Sequence, residues 1–290
     1  MRKSQKLRQL IDDLDILVLP GVYDCVGALL AEKSGFEAIF TSGFGLSAST
    51  LGKPDYGFLT ATEMMYSVSR IAASVERPLV ADIDTGYGNA LNVYNTVSEL
   101  VRHDIAGFIL EDQEWPKKCG HFSGKRVISM SEHVEKVSAA AEARGDNGLV
   151  MIGRTDARAV NGLDDAIARG RAFHEAGADV VFIEAPQSME ELRIIADAFD
   201  GVPLFANMIE GGRTPVLSAD ELAELGFKVV VYPLSGLFAA TAVMSSCMNH
   251  LRSQGTTSGF GGEMLSFSEF EAVIDVPKYR AQEEKYKAGE

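Results

Sequence analysis

The chain reads as an α/β protein, a (β/α)8 TIM-type barrel. Three observations predict it. Eight short apolar, β-branched runs recur at intervals of roughly 25 to 40 residues. Segments of helical period separate them. Nearly every run ends in a polar side chain of a type that chemistry uses. The 290 residues suit a single barrel, which commonly needs about 250.

The runs lie at Ile16–Leu19, Ala38–Thr41, Leu79–Asp82, Gly107–Glu111, Val150–Arg154, Val180–Glu184, Pro203–Asn207 and Val229–Tyr232. Several are apolar throughout, as strands covered on both faces are. Between them, Ser131–Arg144 (Val134, Val137, Ala141) and Leu163–Ala176 (Ile167, Phe173) read as amphipathic helices. Leu163-Asp164-Asp165 supplies an acidic first turn, and Ser218 with Glu221 fits a capping box. An open doubly wound sheet is the second choice, and the polar run ends decide against it. Tyr23-Asp24, Ser42, Asp82 and Asp84, Glu111, Arg154, Glu184, Asn207 and Ser235 follow the runs in turn. A barrel gathers all of them at one mouth, whereas an open sheet strings them along an edge.

Two segments break the alternation. Trp115–Ser129, after the fourth run, is long, polar and rich in Lys and Gly, as an active-site lid is. Gly255–Gly262 reads as a hinge before the apolar-periodic Met264–Ile274. The expected division is a catalytic barrel over residues 1–254 and a helical tail over 255–290. That tail must bury its apolar face, and a neighbouring subunit offers a surface for it.

With 46% hydrophobic residues and 28 glycines, the chain can bury a sizeable core and turn tightly. Its formal charge of −14 argues against nucleic acid or an anionic membrane as partner. A small anionic substrate remains compatible, because a local cation cluster outweighs distant screened charge. Cys25, Cys119 and Cys247 are far apart and form no CxxC pair, so reduced thiols are expected rather than disulfides or thiolate zinc. Neither a signal-peptide core nor an apolar run of about 18 residues occurs. A soluble, cytoplasmic protein is the expectation.

Asp82-Ile83-Asp84 sets two carboxylates on one side of an extended strand end. With Glu111-Asp112 at the neighbouring strand, they suit Mg2+ or Mn2+, which take one or two protein carboxylates plus substrate oxygens. The other reading of Asp84 is a cap for the next helix. Gly86-Tyr87-Gly88-Asn89 lacks the GxGxxG pattern, so no dinucleotide site is expected. Ser42-Gly43-Phe44-Gly45 is either a backbone N–H pocket for a carboxylate or a plain glycine turn. Arg154 suits a bidentate grip on an anion, or a structural pairing with Glu184 or Asp156.

The densest cluster is Lys117-Lys118-Cys119-Gly120-His121. A thiol beside lysines has reason to ionise, or to give up its proton readily. These neighbours do not build a core, which points to Cys119 as an acid or base. His121 reads as a substrate-orienting group; His103, His133, His174 and His250 read as structural, and Cys25 and Cys247 as buried fillers. Carboxylates and thiol together point to metal-assisted chemistry on an anionic acid. A Schiff-base aldolase using Lys117 or Lys118, and a non-catalytic metabolite-binding barrel, are the readings from other classes.

Six segments, in order, resemble the isocitrate lyase / phosphoenolpyruvate mutase superfamily. They are Pro20-Gly21-Val22-Tyr23-Asp24, Ala81 to Asn89, Glu111-Asp112-Gln113, Lys117 to His121, Arg154-Thr155-Asp156-Ala157 and Asn207 to Gly212. The resemblance runs from about Ile16 to Arg252. It implies a barrel with a C-terminal helix exchanged between subunits, a homotetramer, and Mg2+ or Mn2+ binding an oxo or 2-hydroxy acid. The KKCGH motif is similar to the lyase branch, where the loop cysteine handles a proton at the cleaved carbon; Lys118 enters the catalytic set with that motif. By the same similarity, Asp82 contacts the metal directly or through water, and Asp84 and Glu111 complete its hydrated shell. Ser42, Gly43 and Phe44 would hold the substrate carboxylate, with Arg154 at the same end. Glu184, Asn207 and His121 would grip the second carboxylate or the hydroxyl, with Tyr23 near the 2-hydroxyl.

Methylisocitrate lyases tend to carry an aromatic residue where this chain has Gly211. Glu210-Gly211-Gly212 is closer to dimethylmalate lyase, oxaloacetate hydrolase, broad alkylmalate lyases and carboxyphosphonoenolpyruvate mutase-like proteins. The implied activity is cleavage of a di- or tricarboxylate of alkylmalate, dimethylmalate or methylisocitrate type, or of oxaloacetate, with C3-substituted 2-hydroxy dicarboxylates or oxaloacetate favoured. A phosphoryl mutase on the same scaffold is the alternative.

Overall fold

The computed structural model describes residues 1–262 and 264–287. Eight strands follow in chain order: β1 (Leu17–Val22), β2 (Ile39–Thr41), β3 (Leu79–Asp82), β4 (Gly107–Glu111), β5 (Val150–Thr155), β6 (Val180–Ile183), β7 (Phe205–Asn207) and β8 (Val229–Tyr232). All pair in parallel, in the order β6-β5-β4-β3-β2-β1-β8-β7. A parallel bridge between Val181 and Leu204 brings β6 onto β7 and completes the ring. The barrel expected from the sequence is present, and the open sheet is not.

Helices alternate with the strands. After α1 (Lys3–Asp13) come α2 (Cys25–Lys33), α3 (Gly43–Leu46), α4 (Ala61–Ser74), α5 (Ala90–Arg102), α6 (Met130–Arg144), α7 (Leu163–Glu175), α8 (Met189–Ala198) and α9 (Ala219–Glu224). Their starts follow local chemistry. Thr60, Asn89, Ser129, Ser188 and Ser218 each accept a first-turn backbone N–H through the side chain, a cap that stabilises by about 1 kcal/mol. Ser218 and Glu221 form the expected capping box. Asn89, not Asp84, caps α5.

Strand parity positions the site. Phe40, Val80, Ile109, Ile152, Phe182, Phe205 and Val231 belong to the cluster that fills the barrel, joined by Leu7 and Ile11 of α1. Two residues further along each strand the side chain faces the same way again. Those positions are Ser42, Asp82, Glu111, Arg154, Glu184, Asn207 and Pro233. A packed apolar layer therefore carries a polar layer directly above it, at the end of the barrel where such folds work. Residues of opposite parity, such as Ala81, Phe108 and Leu110, pack outward against the helices.

The chain divides into two compact units, Met1–Ser235 and Gly236–Glu290. The second takes up α10 (Ser235–Gln254) from Gly236 onward, with α11 (Phe267–Val273) and α12 (Val276–Tyr286). The boundary drawn at Gly255 lies inside this unit, where Gly255 (φ +68°) follows the end of α10. No side chain of α10 is buried. Among the described residues no helix is long and apolar enough to cross a membrane.

Candidate active site

Carboxylates from β3 and β4 meet a lysine from the Trp115–Ser129 segment. Asp82 accepts the Gly43 N–H through Oδ2 at 3.1 Å and the Asp84 N–H through Oδ1 at 3.0 Å. The chain turns left-handed at Asp84 (φ +51°), beyond the end of β3. Asp84 thus reaches the site through a turn and not through strand alternation. Its carboxylate lies 2.5 Å from Lys117 Nζ, which also donates to Asp55 at 2.7 Å. Burial raises the Asp84 carboxyl to about 7, against the pull of Lys117. Burial likewise holds Glu111 well above the usual range, against Arg154. A Cβ at Gly43 would stand 2.9 Å from Asp84 Oδ1 and 3.0 Å from Lys117 Nζ, so a side chain there would displace that ion pair.

The β5–β6 side is organised by Arg154. Its guanidinium grips Asp156 through Nε at 2.9 Å and Nη2 at 3.2 Å, and Nη2 also reaches Glu111 at 3.2 Å and Glu184 at 3.5 Å. Asn207 Nδ2 donates to Glu184 at 3.4 Å. His121 Nδ1 accepts the Arg213 N–H at 3.1 Å, which leaves the ring proton on Nε2, 3.2 Å from Glu184. Burial alone would raise Glu184, but Arg154 and His121 bring it below the usual carboxylate range. Gly212 leaves room for this contact: a Cβ there would sit 2.8 Å from the His121 ring.

Ser42, Phe44, Asp55, Asp82, Lys117, Cys119, Gly120, His121, Arg154, Glu184 and Asn207 line one cavity, floored by Phe40, Phe182 and Phe205. The cavity is small, with room for a few water molecules. The Cys119 N–H donates to the Asp55 carbonyl at 3.1 Å. Gln113 brackets Lys118 by accepting its N–H at 3.0 Å and donating to its carbonyl at 2.8 Å.

Several expectations need correction. Burial pushes the Cys119 thiol up to about 11, so the neighbouring lysines do not ionise it. Lys117 turns its charge onto Asp84 and Asp55, and Lys118 Nζ bonds the Gly124 carbonyl at 3.1 Å, outside the cavity lining. Gly43 spends its N–H on Asp82, while Ser42 uses its hydroxyl to cap α3. Tyr23 does not line the cavity, and burial with Asp24 nearby raises its phenol. Cys25 and Cys247 are half-buried, not fully buried. Asp112 faces away from the mouth, where Thr155 and Arg169 hold it at 2.7 and 3.0 Å. Sequence reasoning passed over Asp55 and Lys125; the Lys-rich character of the lid was the available signal.

The donor set fits a hydrated dication. Asp55, Asp82, Asp84, Glu111, Asp156 and Glu184 outnumber Lys117, Lys125 and Arg154, and Glu111 Oε1 has no hydrogen-bond partner among the described residues. Buried carboxylates of raised pKa call for further positive charge. Among the described residues no three Asp, Glu, His or Cys side chains already converge as ligands of one ion. Such a site suits an ion that keeps much of its water, as Mg2+ does.

Residues 7–252 match the family model described as phosphoenolpyruvate phosphomutase. The chain belongs to the isocitrate lyase / phosphoenolpyruvate mutase superfamily. Over 98% of its length it is 43% identical to the chloroplastic carboxyvinyl-carboxyphosphonate phosphorylmutase of Arabidopsis thaliana, covering 85% of that protein. It is 41% identical to the 2,3-dimethylmalate lyase of Eubacterium barkeri, with both chains covered completely. The structure of oxaloacetate acetylhydrolase in complex with 3,3-difluorooxalacetate superposes with a TM-score of 0.94, at 32% identity and 99% coverage of each chain. These relatives are lyases and mutases of that superfamily, and the chain is an enzyme of the same kind.

Proposed function

We propose that the protein is a carbon–carbon lyase acting on a 2-hydroxy dicarboxylate substituted at C3, or on oxaloacetate, with Cys119 as proton donor. One observation carries this reading. A thiol kept protonated by burial lines the same small cavity as Arg154, Asp82 and Glu184. A group that must deliver a proton has to hold it until the carbon needs it.

Arg154, with Asn207 and His121, orients the substrate's carboxylates across the mouth. The 2-hydroxyl, which oxaloacetate gains when a water adds to its C2 carbonyl, gives its proton to the carboxylate cluster of Asp82, Asp84 and Glu111, and its oxygen becomes a carbonyl. The C2–C3 bond breaks and leaves its electron pair on C3. Cys119 protonates C3, so an oxo acid and a carboxylic acid leave; the hydroxyl's proton restores the thiol. Asp82, Asp84 and Glu111 would hold Mg2+ or Mn2+, which supplies Lewis acidity at the 2-oxygen. The Trp115–Ser129 lid excludes bulk water that would otherwise protonate the carbanion.

A Schiff-base route is disfavoured. Burial alone would lower Lys117, but Asp84 and Asp55 hold it well above its ordinary value and keep it charged. The 43% identity to a phosphorylmutase favours a mutase as second reading. Purified protein with Mg2+ separates the two when offered alkylmalates, methylisocitrate, oxaloacetate and phosphonopyruvate. Release of pyruvate, glyoxylate or oxalate supports the lyase; turnover of phosphonopyruvate alone overturns it. Cys119→Ser should lose about 10²-fold or more in kcat, the range of general acids. A Ser variant with near-full activity removes the thiol from the mechanism.

The helix α10, with no fully buried side chain and with Phe238, Val243, Met244 and Met248 exposed, supports a helix-swapped homotetramer. A monomer mass by light scattering excludes it. Three free thiols fit work in a reducing cytoplasm.

A further inference from the structure

We propose that Lys125 is a positioning residue: its buried ammonium pins the Cys119–Gly120 peptide to Asp156 and so holds the thiol over the substrate cavity. Lys125 lies in the lid, yet its side chain is 2% exposed. Lysine is almost never that buried unless paired. Its Nζ donates to Asp156 Oδ1 at 2.6 Å and to the Gly120 carbonyl. Asp156 is itself anchored, because its N–H donates to Asp112 Oδ1 at 2.9 Å and Asp112 accepts from Arg169 of α7 at 3.0 Å. One lysine thus ties the lid to a charge lattice behind β5.

Gly120 shows how tightly this closes. A Cβ there would lie 2.5 Å from Arg154 Nη2 and 2.6 Å from Glu184 Cδ, so the peptide rests directly on the pair that lines the cavity. Asp156 is shared by Lys125 and Arg154. Withdrawal of Lys125 would leave Asp156 to Arg154 alone and free the Gly120 carbonyl. The lid and the guanidinium at the cavity are therefore joined through one carboxylate. Among the described residues Lys118 in the same loop makes no comparable contact; its Nζ bonds the Gly124 carbonyl within the lid.

The catalytic consequence rests on Cys119 as proton donor; the thiol's accessibility does not. Iodoacetamide labelling of Cys119 at pH 8, mapped by mass spectrometry on the full chain, therefore reads the pin without any substrate. Lys125→Met should raise the labelling rate about tenfold or more, because an opened lid rehydrates the thiol. In the active enzyme it should lower kcat/KM by about 10²-fold, the scale of a 1 Å misplacement. Lys125→Arg should restore part of both, and where Met is not tolerated Arg carries the test through an intermediate rate. Wild-type labelling in either folded variant overturns the proposal, as does faster labelling with unchanged kcat/KM. If none of the offered acids is turned over by the wild type, labelling alone decides the pin while the lyase reading fails separately.

Discussion

The two sides of the barrel mouth handle buried charge in opposite ways. On the β3–β4 side burial wins: Asp84 rises to about 7 and Glu111 goes well above its ordinary value despite Lys117 and Arg154. On the β5–β6 side the cations win. Asp156 sits below the carboxylate range under Arg154 and Lys125, and Glu184 under Arg154 and His121. Equal burial with unequal compensation separates a finished scaffold from a site that still takes positive charge. The compensated side holds its own shape, whereas the other side gains most from a bound cation.

The largest test removes a carboxylate from the uncompensated side. Asp82→Ala deletes the acceptor of both the Gly43 and Asp84 N–H groups. Activity should fall to background and Mg2+ binding by calorimetry should vanish with it. A variant still activated by Mg2+ would contradict the assignment of the ion to this side.

A smaller effect reads the same contrast through pH. Asp84, raised from 3.8 to about 7, binds its proton more tightly folded than unfolded. Its contribution to stability is full below about pH 4 and is lost as pH rises through 7. Asp156 and Glu184, with lowered values, do the reverse: they stabilise above the ordinary carboxylate range and lose that contribution as pH falls. Mg2+ competes with protons for the first group, so its protection should grow with pH. At saturating Mg2+ a melting-temperature rise of about 5 °C is expected at pH 8, and less than half of that at pH 5.5. Equal rises at both values would mean that the ion binds away from Asp84 and Glu111.

Much of this was legible in the chain. Strands β3, β4 and β8 coincide with apolar runs, since a strand covered on both faces must be apolar throughout. The polar residue two positions beyond each inward apolar one follows from the alternation of an extended chain. Once packing has set which residues face inward, that rule places Asp82, Glu111, Arg154, Glu184 and Asn207 above them. It does not reach the loops. Lys117 and Lys118 look alike in sequence, but one is buried between Asp55 and Asp84 and the other points into its own loop. Cys119, read as ionising or readily giving up its proton, is pushed up to about 11 because burial outweighs Lys117.

What the sequence alone determined was the barrel and the polar side chains that end its strands. Periodicity is local, and local rules suffice for it. Only the tertiary structure decided which charges are compensated, where Tyr23 and Lys118 point, and that Asp55 and Lys125 hold the lid. The fate of a charge depends on how much water its surroundings exclude and on partners brought from far along the chain, such as Lys117 to Asp55 and Lys125 to Asp156. Neither quantity is written in any one stretch of sequence.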